Sequence, residues 1–206
     1  MYAIGALRNF YFDGYIGTAS VEVEGGPARL RVFYNGVRST VGPQIRPVSE
    51  RSLVGPVAAD VVDVEGTFSS GFNLFGEHRA VVGASYRLKT VDWALLGGQQ
   101  LEHHAGVFGE ETWVGPGGHR LVVSGRVDRH PLVGVVPSAR GAFLLKTGRT
   151  SAARATIGTA FRNPTFLESY LDATPATPIA GVSIKSFGSR ALRPEQNIMV
   201  EGGYSS

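Results

Sequence analysis

The residues that could do chemistry come in close pairs, and strand geometry parts most of them. Glu110 and Glu111 are adjacent, and on a strand successive side chains point to opposite faces. They therefore cannot make the facing carboxylates that glycoside hydrolysis requires. His103 and His104 are split the same way, and no third ligand follows at a metal-site spacing. The sequence reads them as surface or loop histidines. Gly83-Ala84-Ser85-Tyr86-Arg87 lacks the closing glycine of a nucleophile elbow. Gly115-Pro116-Gly117-Gly118 is a turn without the lysine and serine of a phosphate loop. Asp128 and His130 stand two apart at a strand end, with no second pair to complete a hydrolytic set. No constellation is complete, so the chain reads as a non-enzyme with no cofactor.

Binding is the chemistry left over, and recognition residues concentrate in loops on a rigid scaffold. Two long connections are expected, at 90–102 and 163–194. They hold Trp93, Gln99, Gln100, Phe166, Glu168 and Tyr170. Trp93, Phe166 and Tyr170, large aromatic residues in these loops, are the ligand-binding candidates.

The elements that must position these residues are strands. From 78 to 89, Ala80, Val82, Ala84, Tyr86 and Leu88 alternate with Arg79, Gly83, Ser85, Arg87 and Lys89, with Val81 the exception on the polar face. Between Arg120 and Arg129, Leu121, Val123 and Val127 alternate with Arg120, Ser124, Arg126 and Asp128. Ala153, Ala155, Ile157, Thr159 and Phe161 oppose Arg154, Thr156, Gly158, Ala160 and Arg162. Period-two alternation marks a strand between two different surroundings. Further strands are expected at 18–24, 29–34, 59–72, 104–113 and 138–146, and from about Glu195, while residues 1–14 read as a loop or the tail of an earlier strand. The alternation sums to about nine strands. Short turns at 25–27, 73–77, 114–118 and 147–150 interleave with longer breaks at 40–57, 90–102, 131–137 and 163–194.

Composition agrees. The 206 residues include 28 glycines, 18% charged residues and no cysteine, which suits turns and packed strands and excludes a disulfide scaffold. Mean hydropathy is +0.02, and no run approaches the roughly 18–20 apolar residues of a spanning helix. A barrel conceals its membrane character, since lipid meets only every second residue. The net charge of +3 comes largely from arginines at alternate strand positions, not from the basic cluster of a nucleic-acid binder. Tyr34, Tyr86 and Trp113 are placed near strand ends, where aromatic girdles sit. Met1-Tyr2-Ala3-Ile4-Gly5 is not the start of a signal peptide.

A strand ending in Thr159-Ala160-Phe161-Arg162-Asn163-Pro164-Thr165 leads to a loop carrying Glu168 and Tyr170. Leu192-Arg193-Pro194-Glu195 then opens a strand towards Glu201-Gly202-Gly203-Tyr204. This pattern resembles TonB-dependent outer-membrane receptors, in the second half of their large barrel. The resemblance implies an all-β fold: an antiparallel, up-and-down transmembrane β-barrel segment forming one unit over 1–206, incomplete and without a plug domain. Family barrels have about 22 strands. Nothing in the sequence matches the plug or a TonB box, and the terminal aromatic of a barrel is missing at Tyr204-Ser205-Ser206, so a fragment is expected. The implied partners are outer-membrane lipid, a small-molecule ligand and TonB (acting through the plug), with no nucleic acid; the implied location is the cell outer membrane. The ligand would be a siderophore, cobalamin or a carbohydrate, imported by binding and conformational change. Two other readings fit the alternation: a small complete outer-membrane barrel acting as pore or hydrolase, and a soluble carbohydrate-binding β-sandwich. Face polarity separates the last from the others.

Overall fold

The computed structural model describes residues 10–43, 55–174 and 185–206. Eight strands follow one another: β1 (Phe10–Gly25), β2 (Ala28–Pro43), β3 (Gly55–Asn73), β4 (Glu77–Trp93), β5 (Gly98–Val114), β6 (Arg120–His130), β7 (Gly134–Lys146) and β8 (Ala152–Arg162). A short helix α1 (Phe166–Tyr170) and the two-residue strands β9 (Asp172–Ala173) and β10 (Ser186–Phe187) precede β11 (Glu195–Ser205). The long strands form one antiparallel nine-stranded sheet in the order β1-β2-β3-β4-β5-β6-β7-β8-β11. β1 and β11 lie at its two ends, so the described residues do not close a barrel.

The register sorts the side chains as the alternation predicts. Val64, Tyr86 and Ala105 share one face, with Phe68, Val82 and Leu88. Asp63, Arg87 and His104 share the other. The polarity is inverted relative to a water-soluble domain: Val82 is 55% exposed, Leu121 38% and Ile157 59%, while Asp63 is 7% and Glu102 2% exposed. A water-soluble sandwich buries such aliphatic side chains between two sheets. Here no second sheet covers them among the described residues, so the sandwich reading is excluded.

Across the polar face the strands are tied by charge. Arg87 of β4 pairs with Asp63 of β3 and Arg31 of β2 with Glu65 of β3, while Arg126 and Asp128 pair within β6. Arg126 also reaches over β5 to donate to Ser85 Oγ at 3.0 Å. Gly106 makes that crossing possible, because a Cβ there would lie 2.5 Å from Asp128 Oδ1 and 2.7 Å from Arg126 Nη2.

Several boundaries differ from the expectation. β1 starts at Phe10 and β2 runs to Pro43, because the ladder between them continues through segments of weak alternation. The breaks at 90–102 and 131–137 are not long loops. β4 extends to Trp93, a single 3₁₀ turn (Ala94–Leu96) follows, and β5 resumes at Gly98. Only Pro131–Val133 separates β6 from β7. Gly97 and Gly98 take φ values of 71° and 108°, a conformation open to glycine that lets the chain reverse within a few residues. Tyr34 and Tyr86 consequently lie mid-strand, and Trp113 alone of the three stands at a strand end. Most of the segment 40–57 falls outside the described residues.

Candidate functional site

At the end of the wall where β4 turns into β5, the chain after β8 comes inward. The β7–β8 ladder stops at Arg140↔Gly158, and Thr159 Oγ1 then accepts from the Ala139 amide at 3.1 Å. Beyond that point the alternation no longer sorts faces. Phe161, expected beside Ile157, lines a polar cavity of about 220 Å³ with Asp63, Arg87, His104 and Asp128.

Asn163-Pro164 ends the strand, and Thr165 starts α1 as a capping box: its hydroxyl accepts from the Glu168 amide, and Glu168 accepts from the Thr165 amide. Such reciprocal bonds satisfy helix-start donors that would otherwise be orphaned. Arg162 fixes the unit to the sheet. Its guanidinium donates to both Glu168 oxygens at 3.0 Å and to both Glu195 oxygens at 2.9 and 2.7 Å. The Arg162 guanidinium, with the Thr165 amide, lowers the Glu168 carboxyl to about 2. The residues of the resembling motif thus act together: arginine at the strand end, proline as stop, threonine as cap, and Glu195 opening the next strand.

The segment after α1 packs on the β4–β5 turn. Leu95 and Ala173 are buried together, with Trp93 and Leu171 against them. The Gly188 amide donates to Leu171 O at 2.7 Å and the Ser189 amide to Glu168 O at 2.9 Å, which holds β10 beside α1. Between them lies a cavity of about 670 Å³, lined among others by Gln100, Ser169, Tyr170, Lys185, Phe187 and Arg190. Arg190 sits over the Tyr170 ring at 4.9 Å.

The sequence candidates divide. Phe166 and Tyr170 meet, ring to ring, at 5.7 Å, and Tyr170 lines the large cavity. Trp93 is spent on packing. Gln100 reaches the cavity, whereas Gln99 is exposed on strand β5, and Glu168 completes the capping box with Thr165 and pairs with Arg162. Glu110 lines the polar face beside Ser124 and Arg126. Glu111 meets His78 Nδ1 at 2.8 Å, so the two adjacent carboxylates are divided as expected.

One grouping escaped sequence reasoning. Glu102, His104 and His130 bring potential ligand atoms within 4.8 Å of one another, and Glu102 and His130 are each 2% exposed. The reading of His104 as a surface or loop histidine is therefore corrected. The signal lay in the hairpin register: Ala105 pairs with Arg129, so His104 and His130 are the next residues along, and Glu102 shares their face. Two histidines and a carboxylate suit a divalent metal in type. Their hydrogen bonds point elsewhere. The Leu132 and Val133 amides donate to His130 Nδ1 at 3.1 and 3.4 Å, which places the neutral ring's proton on Nε2. A ligating histidine normally donates from the nitrogen that does not hold the metal; His130 does the opposite.

No family model matches the chain, and no curated protein matches it. Solved structures do. The siderophore receptor PirA from Acinetobacter baumannii superposes with a TM-score of 0.74 at 14% identity, over 95% of this chain and 32% of that one. PirA from Pseudomonas aeruginosa gives 0.68 at 15% identity, over 95% and 35%. The ferric enterobactin receptor PfeA in complex with BCV-L6 gives 0.77 at 16% identity, over 96% and 33%. The sheet has the fold of part of the barrel wall of these receptors. The chain spans about a third of the length of the receptors it matches, and its open nine-stranded sheet accords with that share. A small complete barrel does not: the described strands leave both sheet ends unpaired.

Proposed function

We propose that this chain is part of the wall of an outer-membrane, TonB-dependent receptor that binds a ferric siderophore outside the cell and admits it by conformational change. The observation that carries the reading is the inverted polarity of the sheet: exposed Val82, Leu121 and Ile157 on one face, buried Asp63, Glu102 and Thr156 on the other. Only a lipid surround makes the first face favourable, and only a wet or plugged lumen suits the second. Strand length agrees. β3, β4 and β5 have 19, 17 and 17 residues, against the ~9–11 that cross a bilayer, so their upper ends stand clear of the hydrocarbon as a rigid mount for the cap formed by α1, β9 and β10. The ligand meets the cavity of about 670 Å³, where Tyr170 and Arg190 offer an aromatic hydroxyl and a cation to an anionic, aromatic chelate. Energy comes from TonB through a plug in the rest of the receptor, and no covalent chemistry occurs in the wall.

The test is growth. The receptor made from its complete coding sequence, in a bacterium stripped of its own siderophore receptors, should restore growth under iron limitation on at least one of a panel of catecholate and hydroxamate ferric siderophores. Growth should be lost when TonB is removed. A correctly assembled barrel that restores growth on none of them, or does so without TonB, overturns the proposal.

A further inference from the structure

The outward face of the sheet carries a carboxylate among its apolar residues, and the receptor reading gives it no role. Glu111 of β5 pairs in the ladders with Ala80 and Val123, and the same row continues to Ser70, Gly141 and Ile157. None of these neighbours is charged. The next row towards the β3–β4 turn is Phe72, His78, Trp113, Leu121 and Phe143, an aromatic-rich belt of the kind that sits at a membrane boundary. Glu111 stands one side-chain repeat, about 7 Å, on the lipid side of that belt. An ionisable group there is costly and calls for a partner. The first partner is His78. Its Nδ1 lies 2.8 Å from Glu111 Oε1 and its Nε2 lies 3.0 Å from Leu74 O. The carboxylate and the carbonyl can only accept, so both ring nitrogens donate and His78 is an imidazolium, stacked on Phe72 at 4.6 Å. The pair is neutral in sum, and both imidazole protons are spent. Trp113 Nε1 is spent as well, on Phe75 O at 3.2 Å. Among the described residues Glu111 Oε2 receives no hydrogen bond, and the Glu111 side chain is 38% exposed.

We propose that Glu111 is a headgroup site for a membrane phospholipid that carries a primary ammonium, with His78 holding the carboxylate in place. The inference rests on the receptor reading for the presence of lipid on this face. A carboxylate has about four lone-pair positions, and at the lipid boundary there is little water to fill those that the protein leaves open. The missing donor therefore comes from the lipid. A primary ammonium brings both a positive charge and N–H groups to Oε2, which makes a charge-assisted hydrogen bond. A quaternary ammonium brings the charge without a donor. A lipid phosphate is not matched, because His78 and Trp113 have no donor left for it and the carboxylate repels it. The neighbouring glycines leave room for the rest of the molecule. Gly109, Gly125 and Ala139 form the row beside Glu111 on the lipid side, and Gly141 follows Val123 in its own row. A Cβ would meet nothing nearer than 3.6 Å at Gly109, 4.0 Å at Gly125 and 3.9 Å at Gly141. Packing within the sheet thus does not demand glycine at these positions. Left bare, they make a shallow depression where an acyl chain can lie against the backbone with its headgroup at Glu111.

The experiment uses the complete receptor in nanodiscs made from equal parts of phosphatidylethanolamine, its N-methyl and N,N-dimethyl derivatives and phosphatidylcholine, all with the same acyl chains. Lipids retained on the barrel after mild detergent extraction are counted by native mass spectrometry. Retention should fall stepwise as N–H groups are replaced by methyl groups, with phosphatidylethanolamine enriched several-fold over phosphatidylcholine. Glu111→Gln, which keeps the shape and removes the charge, should abolish the enrichment. Gly125→Val, which fills the depression and leaves the carboxylate untouched, should lower the retention of all four lipids and keep their order. The methyl series is read on the unaltered protein, so it decides even if Glu111→Gln hinders assembly. Equal retention of the four lipids, or an enrichment that survives Glu111→Gln, overturns the proposal. Full retention in Gly125→Val overturns the placement of the acyl chain. Heat-modifiable migration of the barrel is scored in parallel: its absence in the unaltered protein counts against the receptor reading, whereas its presence without headgroup preference counts against this site alone.

Discussion

The wall and the cap of this protein are held by different forces. In the wall, each strand is bonded to its neighbours by continuous backbone ladders, and the outward side chains need only be apolar. The cap has five residues of helix and two two-residue strands, too little backbone pairing to hold itself. It is fixed instead by side chains of particular type: Arg162 with Glu168 and Glu195, Thr165 as cap, and Leu95 against Ala173. The lesson is that tolerance should be set by face in the wall and by residue identity in the cap.

The largest effect should come from the wall. If the exposed face meets lipid as proposed, Val82→Arg is expected to cost about 2–4 kcal/mol near the midplane and to abolish the heat-modifiable barrel on gels. Ser85→Arg, on the polar side, should assemble with a milder loss, and equal tolerance of the two would break the contrast. Next is the latch. Arg162→Ala leaves Glu168 and Glu195 facing each other uncompensated, so segment 163–194 should become several-fold more susceptible to external protease while the barrel stays assembled. Arg162→Lys should fall between, because an ammonium cannot grip two carboxylates bidentately. Thr165→Ala removes the capping hydroxyl, with an expected loss of about 1 kcal/mol of local helix stability, read as faster amide exchange confined to 165–171.

The smallest effect is one of pH. The Glu168 carboxyl is lowered to about 2 from an ordinary 4.5. A depressed carboxyl stabilises the fold above its unfolded pKa and loses that contribution as pH falls through the folded one. The cap should therefore hold unchanged from pH 7 to about 5 and loosen between about 4.5 and 2, as followed by protease susceptibility. Loosening already complete at about pH 5 would show that Arg162 does not govern the latch.

The wall could be read in the sequence because a strand with one exposed apolar face and one polar face records its two environments residue by residue. Val82 against Ser85, and Leu121 against Arg120, were legible one position at a time. The connections were less so. The stretches 90–102 and 131–137 look like loops, since Gly97-Gly98 and His130-Pro131 interrupt the pattern, yet backbone pairing carries through to a tight turn at each. Phe161 shows the other limit, because alternation cannot reveal where a strand leaves its neighbour and turns into the lumen. Of the site candidates, Tyr170 reaches the cavity and Trp93 packs beneath it, and nothing in their local sequence tells the two apart.

What the sequence determined by itself was the sheet, its polarity and the motif that ends β8, because each is set by neighbours within a few positions. Glu102, His104 and His130 became one group only in three dimensions. Glu102 and His104 lie on β5 and His130 ends β6, and the hairpin register brings the two strands' residues together. Tyr170, on the cavity beside the β4–β5 turn, arrives from 40 residues beyond His130, placed there by a segment whose position no local pattern encodes.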